Sequence, residues 1–126
     1  MNKIILCLLL VSAWLEALEW KSYEEALKIQ KQNGKLIMID VMRVNCHYCI
    51  NMERDVMQDD ETSVWIENNF IPVKINIDND VMPLGIKVSF TPSFYFINEK
   101  SEIVKKIPGA WSKEDFKSLL EPLFVK

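Results

Sequence analysis

Two cysteines with two residues between them, Cys46-His47-Tyr48-Cys49, constrain this chain more than any other feature. They follow Lys35 to Val41, an apolar run of buried-strand length. They open a segment in which Cys49, Met52 and Val56 recur at spacings of three and four, the period of one helical face. The pair therefore sits where a strand gives way to a helix that starts at or near Cys46 and runs to about Met57. At a helix N-terminus Cys46 meets unpaired backbone N–H groups and the positive end of the dipole, and both favour a thiolate. Cys49, one turn later, comes beneath it at disulfide distance. Such a thiolate can attack a disulfide, and the second cysteine can resolve the mixed disulfide.

Other chemistries of a cysteine pair fare worse. A closed zinc site needs four ligands; apart from Cys7 in the apolar N-terminal run, the sequence offers two cysteines and one histidine, and His47 sits between the cysteines on the same turn. Haem attachment needs a histidine straight after the second cysteine, where Ile50 stands. A Cu(I)-binding or metal-delivery module is the better rival: Met52 lies three residues after Cys49, with Met42 and Met57 near, and soft sulfur ligands suit Cu(I). The plain alternative is that these methionines pack under the helix. No cofactor is expected for the redox reading, and no resident metal.

The N-terminus separates from the rest. Lys3 precedes an apolar run from Ile4 to Val11 broken only by Cys7, and small residues follow at Ser12, Ala13 and Ala17. This is the pattern of a secretory signal peptide, residues 1–17, cleaved after Ala13 or Ala17. The run is too short for a bilayer, which takes about 20 apolar residues. Cys7 would leave with it, so residues 18–126 form one domain carrying two cysteines. A disulfide scaffold would need more of them, spread along the chain. The expected location is outside the cytoplasm, the periplasm if the source is Gram-negative. A net charge of −3, from 15 basic and 18 acidic residues with no basic tract, argues against a nucleic-acid partner.

From Trp20 onward the chain reads as one unit. Ser22 with Glu25 makes a capping box for a helix that ends at Asn33-Gly34. After the strand and the cysteine helix, Asp60 or Thr62 starts a short helix and Ile71 to Ile77 forms a second strand. Phe94 to Ile97 and Ile103 to Ile107 are separated by a loop of hairpin length. Ser112, with Asp115 three residues on, caps a final helix. Strand–helix–strand gives a parallel pair and the hairpin adds antiparallel strands, so the expected fold is a three-layer α/β/α sandwich with a mixed central sheet.

Several spaced residues now resemble one family, the thioredoxin superfamily, from about Lys35 to the C-terminus. Asp40 stands six residues before Cys46, where thioredoxins carry a buried acid; Lys74 to Asp78 resembles the strand that bears its lysine partner. Thr91-Pro92 is similar to the cis-proline turn that faces the disulfide, and Gly109 to the glycine before the last helix. Trp20, Tyr23 to Ala26 and Cys46 to Glu53 resemble exported thioredoxin-like proteins with a Cys-x-x-Cys-x-x-Met-Glu motif. The chain departs from thioredoxins in Asn45, where tryptophan is usual, in His47-Tyr48 for Gly-Pro, and in lacking the proline that kinks the helix. Tyr48 and Thr91 are instead similar to periplasmic disulfide isomerases, but no dimerisation domain accompanies them.

The resemblance implies a thioredoxin fold and a protein disulfide oxidoreductase, with reduction slightly favoured, acting on proteins with cysteines or disulfides. It also implies a membrane electron donor or acceptor to recycle the pair. A redox-inert binding module is disfavoured by two intact cysteines. Cys46 and Cys49 are the expected reacting groups. A carboxyl at Asp40, buried near Cys49, would have a raised pKa and could exchange a proton with the resolving thiol; the alternative is a satisfied strand-end acid. His47, when charged, would favour the Cys46 thiolate or else point into solvent. Tyr48 is a candidate substrate contact or a plain exposed residue, and Lys74 a support for Asp40 or a solvated lysine. Pro92 offers no N–H, which would leave the Thr91 backbone free to pair with an extended substrate.

Overall fold

The computed structural model describes residues 18–124, so the leader expected at residues 1–17, Cys7 included, lies outside the described residues. Helix α1 spans Tyr23–Asn33 and begins where the capping box puts it, with the Glu25 N–H donating to Ser22 Oγ at 3.1 Å. It ends at Gly34, whose φ of 71° is the left-handed conformation that glycine adopts freely. Strand β1 (Leu36–Met42) follows, then α2 (His47–Met52) with Cys46 as its N-cap. The chain continues from α2 without a break into a wider π-type turn over Glu53–Met57, closed by the Gln58 N–H on Glu53 O at 2.9 Å. Such widened turns concentrate at functional sites. Helix α3 (Asp60–Asn69) is capped by Asp59, whose carboxylate takes both the Thr62 N–H and hydroxyl.

Strand β2 (Phe70–Asn76) runs parallel to β1, and β3 (Ser93–Ile97) and β4 (Ile103–Pro108) complete a four-stranded mixed sheet in the order β2-β1-β3-β4. Helix α4 (Lys113–Leu120) is capped by Ser112 through the Asp115 N–H at 3.1 Å. Each of these caps contributes on the order of 1 kcal/mol. The fold is the expected three-layer arrangement. Its boundaries differ from the sequence expectation by a residue or so, as fraying ends do.

Alternation along β1 sorts its side chains between two cores. Ile37, Ile39 and Val41 join Ile71, Val73, Ile75, Tyr95 and Ala26 beneath α1. Met38 faces the other way, with Met52, Val56, Phe94, Phe96 and Phe116 under α2, α3 and α4. By the same alternation Asp40 falls on the α2 face, at the C-terminal end of the parallel strands, where α/β proteins build their sites. On the opposite face α1 is the only helix among the described residues. Met82, Ile86 and Val88, from the segment between β2 and β3, cover the rest.

Candidate active site

Cys46 and Cys49 are joined as a disulfide, with their Cα atoms 5.2 Å apart. The cap position explains the geometry. Cys46 is extended (φ −93°, ψ 104°) and its sulfur accepts the Cys49 N–H at 3.2 Å. The sulfur thus takes the role a serine oxygen plays at an ordinary helix start. A second donor comes from another element: the Thr91 hydroxyl lies 3.3 Å from Cys46 Sγ. In the reduced protein both donors would favour the thiolate, since a hydrogen bond to the charged form lowers a pKa. Cys49 is buried, whereas Cys46 is partly open.

The Thr91–Pro92 peptide bond is cis. Pro92 is buried, with Thr91 half-buried beside it. These two, with Tyr48, Phe90, Gly109 and Ala110, line a groove of about 320 Å³. Tyr48 is 64% exposed and Phe90 51%, large apolar surfaces at the rim of a reactive disulfide. His47 points outward and meets Tyr48 edge-on, with ring centroids 6.0 Å apart.

The other flank of the disulfide carries charged side chains. A cavity of about 580 Å³ is lined by Cys46 and Cys49 with Asp40, Glu53, Lys74 and Arg43 among others. Asp40 is only 5% exposed. Burial pushes its carboxyl from 3.8 up to about 7; the Lys74 charge pulls it down and the Glu53 charge pushes it up. Asp40 and Lys74 are register partners across the parallel pair, which puts them on one face of the sheet. The Lys74 ammonium nevertheless goes to Glu53 Oε2 at 2.8 Å, in a part-buried ion pair, and lies 4.3 Å from the centre of the Trp20 ring. Lys74 therefore acts on Asp40 through its field rather than through a hydrogen bond.

Glu53 is the residue that sequence reasoning left without a role. Its signal was present: it stands four residues after Cys49, hence on the same helical face, and an acid on a face that is otherwise buried calls for a partner. Met52, the methionine of the Cu(I) alternative, lies in the core. It is 2% exposed and its sulfur accepts the Trp111 N–H at 3.5 Å, so its position is that of a core residue.

A cysteine pair bonded at the head of a helix, after the first strand of a mixed sheet and beside a proline turn, defines a thioredoxin-fold protein with a redox disulfide. The chain belongs to the thioredoxin-like domain family, which it matches over residues 23–123. No curated protein matches the sequence. Among solved structures it is similar to a thioredoxin from Thermus thermophilus, at 28% identity and a TM-score of 0.74 over 88% of this chain and 90% of that one. It is also similar in fold to the oxidoreductase DsbH (20% identity, TM-score 0.72, 88% of each chain). The oxidised C-terminal domain of DsbD from Neisseria meningitidis shares the fold at 14% identity and a TM-score of 0.61, over 82% of this chain and 98% of that one.

Proposed function

We propose that this chain reduces disulfides of protein substrates outside the cytoplasm, using Cys46 as nucleophile and Cys49 as resolving thiol. The observation that carries the reading is the Cys46–Cys49 disulfide with two hydrogen-bond donors converging on the outer sulfur. In the reduced protein the Cys46 thiolate attacks one sulfur of a substrate disulfide. A Cys46–substrate bond forms, and the other substrate sulfur leaves as a thiolate. Cys49 then gives up its proton and attacks Cys46 Sγ, which closes the internal disulfide and releases the second substrate thiolate. Two electrons pass from the dithiol to the substrate.

Asp40 is the proposed acceptor of the Cys49 proton. A carboxyl titrating near 7 is half-charged under working conditions, which suits a group that must both take and release a proton. The cavity beside it gives solvent a path for that proton. Tyr48, Phe90 and the Thr91 backbone are the proposed substrate contacts, and His47 a charge beside the nucleophile. Export follows from the leader pattern of residues 1–17, with 18–126 as the working domain. Reduction in an oxidising compartment also needs a membrane electron donor to return the pair to the dithiol. No helix among the described residues is long and apolar enough to cross a membrane.

Insulin reduction with dithiothreitol as donor, run beside Cu(I) titration on wild type and Cys46→Ser, tests the reading. Turnover by wild type that Cys46→Ser abolishes supports it. Tight Cu(I) binding without turnover would replace it with the metal-delivery reading.

A further inference from the structure

The parallel ladder between β1 and β2 ends at the Met42 and Asn76 partners, with one backbone bond beyond, from the Ile77 N–H to Met42 O at 3.0 Å. There β1 must leave the sheet and turn into α2 within three residues, Arg43, Val44 and Asn45. Asn45 makes the turn at φ 59°, in the left-handed region that asparagine enters more readily than most side-chain-bearing residues. The Val44 N–H has by then lost its place in the ladder. The Asp78 carboxylate takes it, with Oδ2 at 2.8 Å.

Asp78 is itself held. Its own N–H donates to Asn76 Oδ1 at 3.0 Å, and the Asn79 and Asp80 N–H groups close on Asn76 O at 3.1 and 2.9 Å. The end of β2 is thus a small hydrogen-bonded turn that presents one carboxylate oxygen where a longer strand would have presented a carbonyl. An ionised acceptor makes that bond stronger than the ladder bond it replaces. Two residues beyond Val44 is Cys46, whose sulfur must meet the Cys49 N–H and the Thr91 hydroxyl together.

We propose that Asp78 is a positioning residue for the exchange reaction: by gripping the Val44 N–H it holds the β1–α2 turn so that Cys46 Sγ stays on its two donors. It deepens the oxidoreductase reading and rests on it. The exposure of the site says which property is at stake. Val44 is 54% exposed, so water can satisfy its N–H when Asp78 is lost, and the fold keeps its stability. What water cannot supply is a fixed position for the turn.

Asp78→Ala and Asp78→Asn in the full chain separate the bond from the charge, because asparagine keeps an acceptor oxygen. In the reduced protein the pH midpoint for alkylation of Cys46 is expected to rise in Asp78→Ala, and insulin reduction to slow ~5-fold, a loss equivalent to one hydrogen bond. Asp78→Asn should recover most of both, and melting temperatures of all three should stay within a few degrees. A wild-type midpoint and rate in Asp78→Ala would overturn the proposal, as would Asp78→Asn failing as badly as alanine. Should wild type itself not reduce insulin, the oxidoreductase reading falls, and the alkylation midpoint still decides whether Asp78 positions Cys46.

Discussion

The two flanks of the disulfide are built from different chemistry. Over β1 and β2 lies a cavity whose lining includes the charged Asp40, Glu53 and Lys74; over the start of β3 and the end of β4 lies the groove with Tyr48, Phe90, Thr91 and Pro92, which has no charged residue. They share no lining residue. The cavity holds charges in a partly dry setting, which is how a carboxyl comes to titrate near neutrality. The groove offers apolar area beside the Thr91–Pro92 turn, the surface proposed above for an extended polypeptide. A single disulfide thus lies between a region suited to moving protons and a region suited to holding substrate.

If the division holds, variants on each flank should fail in different ways. The largest effect is expected at the pair itself. Cys46→Ser should abolish insulin reduction, whereas Cys49→Ser should still attack and then accumulate the mixed disulfide, visible as a mass adduct on non-reducing gels. A Cys49→Ser protein with no trapped adduct would break the assignment of nucleophile and resolver.

Next in size is Asp40→Asn. The folded carboxyl titrates near 7 against 3.8 unfolded, so between those values the native state holds a proton that the unfolded chain has lost. Stability must therefore fall as pH rises through that window. The accumulated penalty above pH 7 is on the order of 4 kcal/mol, at about 1.4 kcal/mol per pKa unit. Asp40→Asn carries no such penalty. It should gain on wild type from pH 4 to pH 7 in denaturant melts of the oxidised protein, while losing rate in the resolving step. Parallel stability–pH curves for the two proteins would contradict the buried acid.

Smaller effects sharpen the comparison. Thr91→Val removes one donor from Cys46 Sγ, a bond worth about 1 kcal/mol, and should slow attack roughly fivefold without altering the pH dependence of stability. Glu53→Gln removes the charge that raises Asp40 and frees Lys74 to lower it, so both changes push the Asp40 titration down. Its stability–pH window should close at lower pH, with KM for a peptide disulfide unchanged. A changed KM in Glu53→Gln, or a shifted stability–pH curve in oxidised Thr91→Val, would show that the flanks are not separate.

Much of this division can be read from the residues alone because it rests on local rules. The spacing of Cys46 and Cys49, the period-two alternation that puts Asp40 on the α2 face, and the caps at Ser22 and Ser112 are each fixed within a few residues. Asp59 is a different case. It lies in a run, Asp59-Asp60-Glu61-Thr62, in which several residues can cap, and only the packed structure chooses among them. The Lys74–Glu53 pair is long-range: it requires α2 to lie across β2, and the widened turn at Glu53 has no proline or glycine to announce it. The segment from Ile77 to Phe90 carries neither period, so neither its tight turn at Pro83–Gly85 nor the grip of Asp78 on Val44 could be foreseen.

The central claim is that Cys46 and Cys49 act as one reversible two-electron couple. Equilibration of the protein in graded dithiol–disulfide buffers, with free thiols trapped by alkylation and counted by mass, tests it directly. The account predicts a single transition in which both cysteines gain label together, at a potential inside the range of about −270 to −120 mV spanned by known dithiol couples. A pair that stays oxidised across that range, or cysteines that label one at a time, would contradict it.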